Sequence, residues 1–294
     1  MEGRVSAERF FLFANPEKPE TVPTVRELVL TLMQKGCVAV LDDWLHDLIQ
    51  IGEPKGKASL DSSISAVISI GGDGTLLRIL PDAAIKGIPV LGVNMGHTGF
   101  LLETDRDDLL LMTDLLINKN YTIEERMMLR CSVNGTFSSL AMNEVALTRG
   151  HNPSSLVVDV MAGDELVYSI HGDGVLVSTP SGTTAYALAA GGPVIHPALA
   201  CLVIVPICSH IMHQRPVVLP DQSVVSFTVR ANHGKMHQIS IDGQIVLDLT
   251  SDTIAIVSKA AETARFIRFG RQRFLTRLRQ KQMEWSNQVY GGKL

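Results

Sequence analysis

The segment Gly71–Thr75 reads Gly-Gly-Asp-Gly-Thr and has an evident chemical use. It follows an apolar run that predicts a buried strand, and it precedes Leu76–Ile85, whose spacing predicts a helix. Glycines at this spacing permit positive φ angles and let backbone amides converge on phosphate oxygens. The segment lacks the lysine of the Walker P-loop and the glycine spacing of the dinucleotide fingerprint. The pattern therefore predicts a phosphate-binding turn of a different kind.

Asp73 gives this turn its chemical interest. A carboxylate among phosphate-binding amides is electrostatically unfavourable unless it has a task there. One task is to accept the proton of an attacking hydroxyl group, or to orient that hydroxyl. The alternative is that Asp73 only caps the following helix. Because it follows a buried strand and is bracketed by three glycines, we favour catalysis.

Two further segments carry candidate ligand-binding residues. Asn94–Leu101 is a second glycine-rich turn after a predicted strand, at the strand end where open α/β sheets bind ligands. Its Phe100 packs either on a ligand ring or in the core. Asn143 and Glu144 lie in an apolar strand pattern, Met142–Leu147, and need hydrogen-bond partners there. A sugar diol and a base edge would supply them, and so would a structural hydrogen bond.

The longest motif runs from Gly172 to Tyr186 and continues to Gly191-Gly192-Pro193. Its Pro-Ser-Gly-Thr segment opens a short helix whose first amides are free to bind a ligand. The hydroxyls of Ser181 and Thr184, together with these amides, suit an adenine edge and a ribose, and Tyr186 suits a ring. Ser181 lacks the G-x-S-x-G elbow of a nucleophilic serine.

Taken in order, these motifs resemble the NAD kinase family. The matching patterns are G-D-G-T, N-x-G-x-x-G-F, N-E, D-G-hydrophobic followed by T-P-S-G-T-T-A-Y, and G-G-P, and Ile241-Asp242-Gly243 resembles a late family motif. The resemblance spans roughly Val67 to Gly243. Lipid kinases share the first motif but lack the T-P-S-G-T-T-A-Y block, which makes them the second interpretation.

The resemblance implies a role for each matching position. Asp73 corresponds to the catalytic carboxylate that contacts the acceptor 2′-hydroxyl, and the phosphate turn comprises Gly71, Gly72, Gly74 and Thr75. Asp173 is expected on the nicotinamide side, with a neighbouring subunit as a possible source of the contact. His171 stands where many members have arginine, which leaves the choice between NAD and NADH open. The positions implied to bind NAD are Phe100, Asn143, Glu144, His171, Asp173, Ser181, Thr184, Ala185, Tyr186 and Gly243.

The family resemblance also implies the reaction and its partners. The expected activity is transfer of the γ-phosphoryl group of ATP to the adenosine-ribose 2′-hydroxyl of NAD, which makes NADP. Mg²⁺ is expected to arrive with ATP, with another divalent ion as an alternative, and no protein metal ligands are assigned. Other nucleoside triphosphates or polyphosphate remain alternative donors. A homo-oligomer, either a dimer or a tetramer, is expected.

Other classes of protein fit the sequence less well. A lipid kinase needs a membrane-facing surface, and no basic amphipathic helix with a clean aromatic face is present. A dehydrogenase is disfavoured because no dinucleotide fingerprint follows any predicted strand. A non-catalytic NAD-binding regulator has no use for an acid in an anion-binding turn, so the retained Asp73 argues against it.

These motifs need a two-part scaffold. In the first half, strand patterns at Phe10–Ala14, Val38–Leu41, Ala66–Ile70 and Pro89–Val93 alternate with helical spacing at Thr21–Lys35, Leu76–Ile85 and Arg106–Ile117. This alternation predicts a mainly parallel sheet with right-handed crossovers. The later strand patterns are Leu129–Val133, Leu140–Leu147, Leu156–Met161, Glu165–Ile170, Val175–Ser178, Leu202–Pro206, Val217–Leu219, Val224–Val229, Gln238–Ile241, Ile245–Leu247 and Ile254–Val257.

We therefore expect an α/β domain with a mainly parallel sheet over residues 1–120 and an all-β domain over residues 121–264. A short helix is predicted at Thr183–Ala190 within the second domain, and Arg271–Trp285 is helical again. Residues 265–294 are expected to pack back on the first domain.

Composition limits the remaining possibilities. Hydrophobic residues make up 46% of the 294 residues and the net charge is −4, so neither nucleic acid nor a membrane is an expected partner. The basic stretch after Arg265 reads as the solvated face of a terminal helix. No signal peptide or spanning segment is apparent, and the four cysteines, Cys37, Cys131, Cys201 and Cys208, read as reduced core residues. The sequence predicts a soluble, cytoplasmic protein.

Overall fold

The computed structural model describes residues 7–96, 99–151, 154–230, 236–249, 253–270 and 274–290. The chain divides into two compact units, one comprising Met1–Glu125 with Ala264–Leu294 and the other comprising Arg126–Thr263. Among the described residues, no helix has both the length and the apolar character needed to cross a membrane.

Strands and helices alternate between residues 9 and 117. The strands are β1 Arg9–Ala14, β2 Val38–Leu41, β3 Glu53–Pro54, β4 Ala66–Gly71, β5 Val90–Asn94 and β6 Thr104–Asp105. The helices are α1 Val22–Gln34, α2 Asp43–Ile49, α3 Asp73–Ile85 and α4 Leu109–Ile117, with 3₁₀ turns at Pro19–Thr21, Lys57–Ser59 and Arg106–Asp108. The predicted alternation is confirmed, although the two-residue strands β3 and β6 and the helix α2 are not predicted from the sequence. Helix α2 has a weak pattern because only its Leu45 and Ile49 are buried.

Strands β1 to β6 pair in parallel, in the order β3-β2-β1-β4-β5 with β6 beside β5. The apolar side chains of β1, β4 and β5 pack with helix α1 in one core cluster, which includes Phe10, Leu28 and Ile68. Because the strands are parallel, their carboxyl ends meet at one edge of the sheet. Gly71 at the end of β4 is in register with Asn94 at the end of β5.

The rest of the chain is mostly β. Its strands are β7 Thr122–Val133, β8 Phe137–Ala141, β9 Glu144–Thr148, β10 Leu156–Ala162, β11 Glu165–Gly172, β12 Gly174–Ser178, β13 Cys201–Ile207, β14 Val217–Pro220, β15 Val225–Val229, β16 His237–Ile241, β17 Gln244–Leu249 and β18 Ile254–Arg268. Its helical segments are a 3₁₀ turn at Ser181–Thr184, α5 Tyr186–Ala189 and α6 Phe274–Tyr290.

The second unit has two antiparallel layers. One sheet has the order β14-β13-β12-β9-β16-β17, and the other pairs β11, β10, β15 and β18 in that order, with β7 also pairing β18 and β8 pairing β7. Buried side chains from both layers form one core cluster, which includes Leu147, Val177 and Phe227. The predicted α/β fold followed by an antiparallel β fold is therefore confirmed.

Several predicted elements differ in extent from the observed ones; strand β7, for example, begins at Thr122 and not at Leu129. Leu140–Leu147 is two strands, β8 and β9, which are separated at Met142 and Asn143. The predicted helix Thr183–Ala190 is a 3₁₀ turn followed by α5, with a non-helical Ala185 between them (φ −108°, ψ −129°). Strand β18 continues to Arg268, well past the predicted end at Val257. Polar residues between Val257 and Arg268 interrupt the apolar alternation from which a strand is predicted.

The C-terminal helix α6 belongs to the first unit. The expected contact with the first part of the chain is present, because Arg277 Nη1 donates a hydrogen bond to the carbonyl oxygen of Phe100 at 2.9 Å. The interpretation of this basic segment as a solvated face is wrong for Arg277, which is 3% exposed. Residues 271–273 of the predicted helix Arg271–Trp285 lie outside the described residues.

Candidate active site

The phosphate turn joins β4 to α3. Gly71 ends the strand with a φ of +152°, and a Cβ atom there would lie 2.9 Å from Cβ of Thr75, so glycine is required sterically. Helix α3 begins at Asp73, three residues earlier than predicted, because the carbonyl oxygen of Gly72 accepts hydrogen bonds from the N–H groups of Thr75 (3.0 Å) and Leu76 (3.2 Å). The start of α3 therefore coincides with the glycine-rich turn.

The second glycine-rich turn lies beside the first. The N–H of Met95 donates to the carbonyl oxygen of Gly71 at 3.2 Å, which ties the two turns together. His97 and Thr98, in the middle of the N-x-G-x-x-G-F motif, lie outside the described residues. A cavity of about 300 Å³ opens beside the turns and is lined by Lys18, Glu20, Thr21, Gly71, Gly72, Asn94, Met95 and Gly96.

Asp73 is bound by the second turn. Its Oδ2 accepts the N–H of Phe100 at 2.8 Å and its Oδ1 accepts the N–H of Leu101 at 3.2 Å. The helix-cap alternative fails, because Gly72 is the N-cap residue and no side chain caps this end of α3. Burial raises the pKa of Asp73, while the two amides and the positive charges of Arg277 and Lys281 act to lower it.

Gly99 shows how closely the second turn approaches Asp73. A Cβ atom on Gly99 would lie 2.7 Å from Cγ of Asp73 and 3.0 Å from its Oδ2. Only glycine leaves room for the carboxylate, which explains sterically why the second glycine of the N-x-G-x-x-G-F motif is needed. Phe100 follows with a half-buried ring whose centroid lies 6.4 Å from that of Phe274 on α6.

Behind the second turn lies a buried group of charges. Glu103 Oε2 accepts hydrogen bonds from Arg268 Nη1 (3.2 Å) and Arg277 Nη2 (3.4 Å), and Glu103 Oε1 accepts the N–H of Phe269 at 2.9 Å. Arg268 Nη1 also donates to the carbonyl oxygen of Leu101 at 3.0 Å. Paired and hydrogen-bonded charges of this kind tolerate burial, and here they support the backbone that binds Asp73.

In the second unit, Asp242 explains the break between β8 and β9. Its carboxylate accepts the N–H groups of Met142 (2.7 Å), Asn143 (2.7 Å) and Glu144 (3.1 Å). Amides that bind a carboxylate are unavailable to a strand ladder, so the strand pairing stops at Met142 and Asn143. Burial raises the pKa of Asp242 to about 6, although these three amides favour its charged form.

Glu144 is the buried acid next to this group and is 4% exposed. Burial, and then the nearby Asp242 carboxylate, raise the pKa of Glu144 to about 8, while the backbone N–H of Tyr186 acts to lower it. Among the described residues its Oε2 has no hydrogen-bond partner. At neutral pH the protonated side chain therefore has an unused polar atom, which is suited to a ligand hydroxyl or base edge.

The loop at Thr179–Ala185 packs on Asn143. The carbonyl oxygen of Asn143 accepts the N–H of Thr179 at 2.8 Å, and Thr179 Oγ1 donates to the carbonyl oxygen of Met142 at 2.7 Å. Ser181 is buried, while Thr184 and Ala185 are half-buried. Thr184 Oγ1 donates a hydrogen bond to the carbonyl oxygen of Ser181 at 3.0 Å. The structure thus brings Asn143, Glu144 and this loop together.

Asp173 and Tyr186 share a cavity of about 520 Å³, whose lining residues are Thr148, Arg149, Gly150, Asp173, Tyr186, Ala189, Ala190, Ile207 and Cys208. Arg149 Nε donates to Asp173 Oδ1 at 2.8 Å. The expectation that all four cysteines lie in the core is wrong for Cys208, which is exposed at this cavity, whereas the other three are buried. None of the four forms a disulfide.

His171 and Gly243 lie apart from the lining of this cavity. His171 Nε2 is 2.6 Å from Ser155 Oγ, and its ring centroid is 4.6 Å from that of His210. Gly243 is exposed at the turn after Asp242, with a φ of +79°.

Sequence reasoning missed several residues of the site. Asp242 stands in a recognised motif, but its acceptor role depends on amides 98 to 100 residues away along the chain. The basic stretch concealed Arg277, because a buried arginine and a solvated one have the same local sequence pattern. Arg149 carries no motif signal, and only the fold brings it to Asp173.

Two family models match the chain, the ATP-NAD kinase N-terminal domain over residues 10–121 and the ATP-NAD kinase C-terminal domain over residues 142–269. The NAD kinase of Heliobacterium modesticaldum is 35% identical over 275 residues, which are 92% of this chain and 96% of that protein. The NAD kinase of Symbiobacterium thermophilum is 34% identical over 280 residues, which are 93% and 98% of the two chains.

Solved structures share the fold. Yeast NADH kinase in complex with NADH superposes with a TM-score of 0.81 at 21% identity, over 89% of this chain and 83% of that chain. An NAD kinase from Archaeoglobus fulgidus in complex with ATP gives a TM-score of 0.70 at 23% identity, over 89% and 94% of the two chains.

Proposed function

This chain belongs to the ATP-NAD kinase family, and we propose that it transfers the γ-phosphoryl group of ATP to the adenosine-ribose 2′-hydroxyl of NAD, making NADP. The observation that carries the proposal is the setting of Asp73. Its carboxylate is held by two backbone amides at the start of a helix, beside two glycine-rich turns that line a cavity.

The donor phosphates are assigned to the phosphate turn. The phosphate turn offers backbone amides at the N-terminus of α3, where the helix dipole favours anions. Its residues are Gly71, Gly72, Gly74 and Thr75. Lys18 lines the same cavity and adds a cation that suits a polyphosphate. ATP is the proposed donor.

Asp73 is the proposed general base. It accepts the proton of the 2′-hydroxyl while that oxygen forms a bond to the γ-phosphorus and the bond from the γ-phosphorus to the ADP oxygen breaks. Burial raises the pKa of Asp73 and thereby strengthens it as a base, and the two amides keep its oxygens in place. Positioning and charge neutralisation supply most of the rate in such transfers.

Residues of the second unit are proposed to bind NAD. The unused polar atom of Glu144 and the adjacent Asn143 suit the ribose and adenine. Asp173 and Tyr186, on their shared cavity, suit the nicotinamide half. The remaining proposed contacts are Phe100, His171, Ser181, Thr184, Ala185 and Gly243.

Mg²⁺ is proposed to enter with ATP. Within the part of the chain that the structure describes, no group of three or more histidine, cysteine or acidic side chains is placed to hold a metal ion. The ion would neutralise charge on the phosphates, and another divalent cation is an alternative. We further propose a cytoplasmic location and a homo-oligomer, either a dimer or a tetramer.

The test is an incubation of the protein with ATP, Mg²⁺ and NAD, in which NADP is read with an NADP-specific dehydrogenase. Parallel reactions contain NADH or a diacylglycerol acceptor in place of NAD. NADP formation that depends on ATP supports the proposal. Phosphorylation of the lipid alone, or absence of product with both nicotinamide acceptors, contradicts it.

A further inference from the structure

Arg277 stands out among the basic residues of helix α6. It is 3% exposed, whereas Arg279, two residues further along the same helix, is exposed. A buried guanidinium group is costly unless each charge is paired and hydrogen-bonded. The partners of Arg277 therefore indicate what its burial achieves.

One of those partners is a peptide group of the second glycine-rich turn. Arg277 Nη1 donates to the carbonyl oxygen of Phe100 at 2.9 Å, and the N–H of the same peptide group, on Leu101, donates to Asp73 Oδ1 at 3.2 Å. The guanidinium, the peptide and the carboxylate thus form one continuous hydrogen-bonded chain. Hydrogen bonds in such a chain polarise and strengthen one another.

We propose that Arg277 is a positioning residue for Asp73, acting through the peptide group between Phe100 and Leu101. This role rests on the proposed function of Asp73. Glu103 holds the guanidinium from the other side, through Nη2 at 3.4 Å, so that the arginine is fixed at two points. Lysine lacks the planar fork that makes such two-point contacts.

Within the described residues, the positive charges that act on Asp73 come from one helix. Arg277 and Lys281 of α6 both act to lower the pKa of Asp73. Lys281 Nζ lies 3.2 Å from Glu284, and the negative charge of Glu103 is matched by Arg268 and Arg277. Loss of the Arg277 charge would therefore raise the pKa of Asp73 further and move the acid limb of the rate profile to higher pH.

The experiment compares three variants of the full chain, Arg277→Gln, Arg277→Lys and, as a matched control on the same helix, Arg279→Gln. For Arg277→Gln we expect kcat to fall by about 10- to 100-fold with the KM for NAD within about twofold, because only the alignment of the base changes. The acid limb of the pH–rate profile of Arg277→Gln moves to higher pH. In Arg277→Lys the acid limb stays closer to the wild-type position, although kcat falls. Arg279→Gln matches the wild type.

A double variant separates this role from a general effect on folding. If Arg277 acts through Asp73, Arg277→Gln lowers the residual rate of Asp73→Asn by much less than it lowers the wild-type rate. Equal losses in the two backgrounds overturn the proposal, as does an Arg277→Gln variant that behaves like Arg279→Gln. If Arg277→Gln is unfolded at the assay temperature, the same comparisons are made with Arg277→Lys, and wild-type kcat in that variant overturns the proposal.

The proposed function fails separately. Near-normal turnover in Asp73→Asn would end the assignment of the base, whatever the arginine variants do. A large loss in Asp73→Asn, combined with wild-type behaviour of Arg277→Gln and Arg277→Lys, would leave the proposed function intact and remove only the positioning role.

Discussion

Two acids with different surroundings dominate this protein at the scale of single residues. Asp73 is held by two amides and is assisted by positive charges, whereas Glu144 lies buried beside another carboxylate, Asp242. These surroundings separate their proposed roles, because the amides and cations around Asp73 favour its charged form against the effect of burial, whereas burial and the Asp242 carboxylate both keep the proton on Glu144. Each role can be tested by a single substitution, at Asp73 or at Glu144.

For Asp73→Asn we expect turnover to fall by about 10²- to 10⁴-fold, with NAD binding largely retained. The asparagine amide cannot accept a proton, and its NH₂ group faces one of the two backbone N–H groups that now bind oxygen. Steady-state kinetics and NAD titration measure the two effects. Asp82→Asn on the same helix is the control, and equal activity in both variants would refute the assignment.

Glu144 should make the free energy of unfolding depend on pH. Its pKa is about 8 in the folded protein, above the unfolded value of about 4.5, so the folded state holds the extra proton. Stability from this group is therefore complete below about pH 4.5 and is lost as the pH rises through 8, by up to about 1.4 kcal/mol per pH unit. Asp242, with a pKa of about 6, contributes in the same direction at lower pH.

Glu144→Gln should flatten this dependence between pH 5 and pH 8, because glutamine does not titrate. Denaturant unfolding at several pH values in that interval measures the slope. Glu165→Gln, at an exposed position in the same unit, should keep the wild-type slope. Parallel curves for Glu144→Gln and the wild type would show that Glu144 does not carry the shift.

At the scale of elements, the phosphate turn and the second turn depend on parallel pairing of β4 with β5. That pairing puts Gly71 in register with Asn94, and Asp73 then reaches the amides that follow Gly99. The element that supports this pair of turns from behind is α6, through Arg277. The space at Gly99 is therefore limited by both the second turn and the start of α3, which carries Asp73.

Gly99→Ala should lower both the midpoint of thermal unfolding and turnover, because the new methyl group would occupy the space of the Asp73 carboxylate. The chain offers a control in the same turn, since a Cβ atom on Gly96 would have no atom of the described residues within 4 Å. We expect Gly96→Ala to unfold at the wild-type temperature. Equal midpoints for the two variants would show that the close approach at Gly99 is unimportant.

At the scale of the whole molecule, the exposed apolar side chains of the second unit bear on assembly. Leu199, Met212 and Val218 are 58%, 81% and 49% exposed. Strand β14, which carries Val218, is also one of the two edge strands of its sheet among the described residues. Open edges and apolar side chains of this kind suit contacts between copies of a chain.

The proposed homo-oligomer predicts a sedimentation-equilibrium mass of two or four times 32.0 kDa at micromolar protein concentration. A mass of 32.0 kDa that persists at higher protein concentration would refute it. The measurement is made on the full chain with and without NAD, because a ligand that binds at a subunit contact would shift the equilibrium towards the larger species.

Local sequence patterns were enough to predict most of the elements and the two glycine-rich turns. Apolar periodicity predicted four strands and three helices of the first half, and glycine spacing predicted the turn at Gly71–Thr75, because both signals depend on neighbours within a few positions. The same short range explains the errors. The break at Met142 and the extension of β18 to Arg268 depend on contacts with distant parts of the chain.

Which polar groups meet depends on the packing of segments that are far apart along the chain. Asp73 and Phe100 are 27 positions apart, Asp242 and Met142 are 100 apart, and Arg277 and Phe100 are 177 apart. A carboxylate or a guanidinium has the same local pattern whether it faces solvent or a buried amide. Its partner is selected by the packing of whole elements, which no short window of sequence contains.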